Sequence, residues 1–155
     1  MQTFPCVTRD VERLLEDGHT TLGRWTLAQI CNHLSESIRY SLDGFPGRRA
    51  PWPARVTLGK LIGSLMLATG RIKEGVPLAG VYQPDVTLDA REQLKILAAV
   101  IERFQQAQQF KVQPLLGNMN RQQWERFHCI HCGHHLSFVL PNPARDSIST
   151  HEQQA

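Results

Sequence analysis

The chain has 155 residues, of which 41% are hydrophobic and 20% charged, with a formal net charge of +3 at pH 7. That length suits one domain with a substantial core, and that composition argues against an intrinsically disordered chain. The positive residues are scattered, with one short basic pair at Arg48-Arg49, so no helix carries a basic stripe and no nucleic-acid partner is expected. The N-terminus shows no apolar signal stretch, which makes a cytoplasmic location the expectation. The most apolar run, Val56 to Ala68, is broken by Lys60 and two glycines and is too short to span a bilayer, so no membrane association is expected.

In chain order, the first predicted element is a short leading helix over Thr8 to Glu16, with Val11, Leu14 and Leu15 inward and Gly18 ending it. The first main helix starts at Thr26. Thr26 and Gln29 match a capping box, and Trp25 with Ile30 fits a hydrophobic staple. Leu27, Ile30, Leu34, Ile38 and Leu42 recur at helical spacing until Asp43-Gly44 stops the element. Residues 43–56 hold two glycines and three prolines and read as a loop. A second helix is predicted over Thr57 to Thr69, with Leu58, Leu61, Ile62, Leu65 and Met66 on its inward face. Residues 70–87 read as a second long loop, and the two loops are either the cover of a site, with Trp52 and Tyr82 as wall residues, or ordinary bundle connections with docked aromatics. Asp89 and Glu92 open a third helix that runs to about Gln109, with Leu94, Leu97, Ile101 and Phe104 inward. After a turn over Gln113 to Met119, Asn120 and Gln123 match a second capping box. The fourth helix is predicted to run to about Leu140, ended by Pro141 and Pro143. No strand pattern of any strength appears. The expectation is an all-α domain over residues 1–142 and a polar, disordered tail over 143–155.

Four of the seven histidines fall within His128-Cys129-Ile130-His131-Cys132-Gly133-His134-His135. On a helix, His128, His131 and His135 share one side with Trp124 and Phe127. Imidazoles turned toward a core need partners, because a buried polar group left unpaired costs about 1–3 kcal/mol. A metal ion is a common partner for several of them. His131 and His135, four apart, offer two rings from successive turns, as in the helical H-x-x-x-H of metal sites. His128 and His131 are also one turn apart, so spacing alone does not choose between the two pairs. Cys132 stands where a zincin protease has its glutamate, which removes that reading. A third ligand must come from elsewhere, and His33 lies inside the first main helix. Three His ligands leave positions for water or substrate, the mark of a catalytic site. His134 reads as a polar flank, and His19 and His151 as solvated residues. Cys129 and Cys132 form a C-x-x-C with no second pair to complete a zinc ribbon. They are expected neither to bind the ion nor to form a stable disulfide, since cytosolic thiols stay reduced.

The stretch Trp25-Thr26-Leu27-Ala28-Gln29-Ile30-Cys31-Asn32-His33-Leu34 resembles the first-helix motif W-[ST]-x-x-x-[IL]-x-x-H-L of the DinB-like (DinB/YfiT) superfamily. Pro114-Leu115-Leu116-Gly117-Asn118-Met119-Asn120, with Trp124 to His128 and His131 to Phe138, resembles the last-helix region of a functionally unassigned group within it. The resemblance spans roughly residues 8–140. It implies an up-down-down-up four-helix bundle. It also implies a divalent metal held by His33, His131 and His135, with Zn or Ni first and Mn or Fe as alternatives. Characterised relatives include metal-dependent transferases and isomerases that use a low-molecular-weight thiol, so the resemblance implies a small-molecule substrate and such a thiol as partners. Cys129 and Cys132 are a departure from the family's ligand pattern.

Besides a plain bundle whose histidines hydrogen-bond in the core, two functions follow as expectations. One is a metalloenzyme in which the ion acts as Lewis acid on a thiol or water, as in a thiol-dependent S-transferase. The other is a metal-binding or stress-response protein without turnover. No Asp or Glu of the last helix is an obvious general base, and Glu36, nearly a turn past His33, is a weak candidate. The resemblance also implies a homodimer. Gly59 and Gly63, four apart with Leu67 on the same side of the second helix, suit a partner helix or one of the chain's own loops.

Overall fold

A computed structural model of the chain describes residues 4–47, 51–72, 84–85 and 87–143. The tail beyond 143, with His151, lies outside the described residues, as do Tyr82 and the Arg48-Arg49 pair. The structure is mostly helical: α1 (Phe4–Glu16), α2 (Leu27–Asp43), a short α3 (Trp52–Ala54), α4 (Lys60–Thr69), α5 (Ala90–Gln106) and α6 (Arg121–Leu136). A π-helical turn over Arg55–Gly59 joins α3 to α4. Among the described residues, no helix is long and apolar enough to cross a membrane.

The helix starts follow their capping chemistry. Both capping boxes form: Thr26 accepts from the Gln29 backbone N–H while the Gln29 side chain accepts from Thr26, and Asn120 and Gln123 do the same. Asp89 caps α5 by accepting from the Glu92 N–H. At the far end of α2, Gly44 (φ 117°) hands its N–H back to Tyr40 O, a backbone shape that suits glycine.

The core joins α1, α2, α5 and α6. Phe4, Val7 and Val11 of α1 are fully buried, so the leading helix is longer and more central than predicted, and it begins at Phe4 rather than Thr8. Leu27, Leu34 and Ile38 meet Leu97, Phe104 and Trp124, each exposed by 1% or less. Specific contacts give the relative senses of the helices. Asn32 meets Gln93 and Asp43 pairs with Arg103, so α2 and α5 run in the same direction. His33 meets His131 and Ser41 meets His128, so α6 opposes α2. Phe4 lies against His128, and Gly18 O accepts from Asn142 N, so α1 follows the direction of α6.

Three predicted features are corrected. First, α4 is turned about its axis relative to expectation. Leu58, Leu61 and Leu65 are 53–67% exposed, and the inward face is Gly59 and Gly63. A Cβ on Gly59 would come within 2.0 Å of Leu115 O, and one on Gly63 within 3.3 Å of a Leu116 methyl. Close backbone approach at two glycines thus outweighs the leucine stripe, and the chain's own Leu115-Leu116 covers the face expected to meet a partner. The helical path also starts earlier, at Trp52, because Pro53 is tolerated in a first turn where its missing N–H costs nothing. Second, α5 ends at Gln106 and α6 at Leu136, where the Ser137 N–H caps Gly133 O. Third, strands do form. β1 (His19–Thr21) pairs antiparallel with β2 (Val139–Pro141), in register His19 with Pro141 and Thr21 with Val139. Each strand has three residues, too few to show an alternating pattern, and each needs the other from the far end of the chain. His19 is accordingly half-buried, donating Nδ1–H to Leu14 O at 2.9 Å, rather than a solvated loop residue.

Candidate metal centre

His33 sits two turns into α2, and His131 and His135 occupy the last two turns of α6. Because α2 and α6 oppose each other, advancing along one helix retreats along the other. His33 therefore meets His131 and His135, Ser37 meets His131, and Ser41 meets His128. This pairing settles what spacing left open. His128 belongs to the core: it is fully buried, stacks on Trp124 (centroids 5.2 Å, 17°) and donates Nε2–H to Ser41 Oγ at 3.1 Å, while the Ser41 hydroxyl donates to Ile38 O. Its Nδ1 has no partner.

The three remaining rings converge. His131 Nε2 lies 3.2 Å from His33 Nε2 and 3.0 Å from His135 Nε2, and one ligand atom from each of the three residues falls within 4.8 Å of the others. Three imidazole nitrogens facing one point cannot all be satisfied by hydrogen bonds among themselves, since a neutral ring has a bare nitrogen only by keeping its proton on the other one. A cation accepts all three lone pairs. An ion about 2.0–2.1 Å from each nitrogen separates cis or tetrahedral ligands by about 2.9–3.4 Å, which matches these contacts. The three histidines can therefore hold a metal ion.

The surroundings favour that state. Burial lowers the His33 pKa to about 4 and that of His135 to about 3; His131 is held well below the ordinary imidazole value by burial and then by its histidine neighbours. Neutral imidazole is the ligating form. The Ser37 hydroxyl is 3.2 Å from His131 Nδ1, and with that nitrogen protonated and donating to Ser37, Nε2 is left bare toward the other two rings. Trp25, just before α2, stacks on His135 at 10° and packs against His33 with centroids 4.9 Å apart. His131 is buried, whereas His33 and His135 are half-buried, so solvent reaches part of these two residues. His134 is half-buried beside it, its ring 5.2 Å from that of His135.

Several other candidates fall away from the site. Glu36 is paired with Arg39 at 2.6 Å, and Glu125 is exposed on another side of α6. Trp52 is 67% exposed on α3 and forms no wall of the cluster. Cys129 and Cys132 are buried free thiols outside the histidine cluster. Burial, and for Cys129 also the Glu125 charge, raises both pKa values, that of Cys129 to about 11, which opposes the thiolate form a metal or an oxidant would need. Ser37 and Trp25 were not singled out as site residues from sequence. A signal existed for Ser37, which lies four residues after His33 and so on the same helical face.

A helical domain presenting three convergent histidines from two opposed helices is the class that fold and site define. The chain belongs to the family described as "Protein of unknown function (DUF1569)", which matches residues 4–142. No curated protein and no solved structure matches it.

Proposed function

We propose that this protein is a divalent-metal-dependent enzyme acting on a small molecule, of DinB-like type, with His33, His131 and His135 as ligands. Zn or Ni is the first candidate ion, since imidazole suits both. The observation that carries the reading is the convergence of three Nε2 atoms with contacts of 3.0 and 3.2 Å. The DinB-like reading includes an up-down-down-up arrangement of four helices; the sequence counted α4 among them and α1 as an extra leading helix, whereas the assignment proposed now is α1, α2, α5 and α6, with α4 in the crossover. It is supported by the helix senses: α1 and α6 run one way, α2 and α5 the other.

Three protein ligands leave coordination positions open. When bound, such an ion supplies Lewis acidity that lowers the pKa of a thiol or water. The chain's own residues do the rest. Ser37 fixes the His131 ring, Trp25 covers the His33 and His135 rings, and the half-buried side admits a small molecule. A thiol-dependent S-transfer fits this arrangement, because a thiol made acidic by the site needs no separate protein base to become a nucleophile.

The second reading, metal binding without turnover, has its own support. Among the described residues, no carboxylate joins the three rings, and Glu36, the acidic candidate offered by the sequence, is held by Arg39. The two readings separate in one experiment. Protein loaded with Zn or Ni is incubated with glutathione, bacillithiol or mycothiol and a small electrophile, and conjugate formation is measured. Turnover that needs the metal and disappears in His33→Ala supports the enzyme. A fully loaded protein with no conjugate from any thiol overturns S-transfer and leaves metal binding.

A further inference from the structure

A cavity of about 420 Å³ lies between the C-terminal end of α4 and a face of α6 that carries none of the three ligands. Arg126, Ile130 and Gly133 line it from α6 at helical spacing, with His134 at one edge, and Arg71 and Ile72 line it from the segment after α4. The volume is that of a small-molecule site, which typically runs from about 300 to 1,000 Å³.

Its chemistry is one-sided. Among the described residues, two guanidinium groups and an imidazole line it, and no carboxylate does. Among the described residues neither Arg71 nor Arg126 is in an ion pair, although carboxylates elsewhere on the surface are paired with Arg39, Lys95 and Arg103. Arg71, after α4, and Arg126, on α6, are both exposed residues at this cavity, and a guanidinium fork suits an oxyanion. Ile72 and Ile130 add apolar lining, beside Gly70 and the Cys129 thiol. We propose that this cavity binds a small molecule that carries a carboxylate or phosphate on an apolar body. The site is separate from the metal centre and does not depend on the function proposed above.

The test is a titration of the purified full-length chain, followed by the backbone amide signals of Ile72, Ile130 and Gly133 at constant ionic strength, since exposed charges are screened by salt. The probes are inorganic phosphate, phenyl phosphate and benzoate. At least one aromatic probe should give saturable shifts at all three amides and bind more tightly than inorganic phosphate. Phenyl phosphate against benzoate then says which oxyanion the arginines prefer. Arg71→Gln and Arg126→Gln should each weaken binding by about fivefold or more, a loss of about 1 kcal/mol for a partly solvated charge. His33→Ala should bind the probes as the parent does. Shifts that do not saturate, or that survive both arginine changes, overturn the proposal. So does binding lost in His33→Ala, which would place the anion at the histidine cluster.

Discussion

The Nε2 atoms of His33 and His131 lie 3.2 Å apart although 98 residues separate them in the chain. Neither helix brings three ligands by itself: α6 supplies two and α2 the third. Replacing any one of His33, His131 or His135 by Ala should therefore remove most of the bound metal, measured by elemental analysis after dialysis. His134→Ala should keep its metal, since that ring flanks the cluster without joining it. Full occupancy in His33→Ala would sink the cross-helix site.

Ser37 acts on the site only through His131. Loss of its hydroxyl frees the His131 ring to turn and to change tautomer. Ser37→Ala should lower metal affinity by about 10- to 100-fold, the usual range for a residue that orients a ligand. The fold should be retained, because Ser37 is only half-buried. Competition with a chelator of known affinity measures the change. An unaltered affinity would mean that packing against Phe127 and the other two histidine rings is enough to fix the His131 ring.

The buried imidazoles make the metal-free protein acid-sensitive. In the unfolded chain a histidine titrates near 6.5, while in the fold burial holds His128 and His135 at about 3 and His33 at about 4. The unfolded state binds more protons between those limits. The histidines' contribution to stability is thus whole above pH 6.5 and is lost as pH falls through that window. Urea midpoints at pH 7, 5.5 and 4 should decline in that order, and His128→Phe should reduce the slope. A flat profile would contradict the burial of these rings.

The cysteines should be bystanders to the metal. A Cys129→Ser/Cys132→Ser variant is expected to keep its ion and its helical content, because the thiols are buried and held protonated. Absorption spectroscopy should find nitrogen or oxygen around the ion. Sulfur in that shell would overturn the ligand set.

A homodimer is proposed through α4, on a different face from the one the glycines suggested. Leu58, Leu61 and Leu65 form an exposed row at helical spacing, while Gly59 and Gly63 are covered by Leu115 and Leu116. Sedimentation at micromolar concentration should give a dimer that Leu61→Glu converts to monomer. A monomeric parent protein would end the proposal, and a dimer indifferent to that change would move the interface.

Local chemistry was legible in the sequence wherever a short stretch decides the outcome. Thr26 with Gln29 and Asn120 with Gln123 announced two helix starts, because a capping box needs only four residues. The inward rows of α2 and α5 followed from period and composition. Period put His128, His131 and His135 on one helix face without choosing between the pairs, His33 stood in another helix, and the motif resemblance then singled out His33, His131 and His135. Tertiary structure decided what depends on two distant segments at once. His128 shares a face with His131, yet Ser41 and Trp124 take it into the core, since the opposed course of α2 sets which residue each histidine meets. The leucine row of α4 carries the stronger apolar signal, yet the glycine side packs inward because only there can backbone approach Leu115 so closely. The β1–β2 ribbon could not be read from either half, because three residues become a strand only when a partner from the other end of the chain supplies the hydrogen bonds.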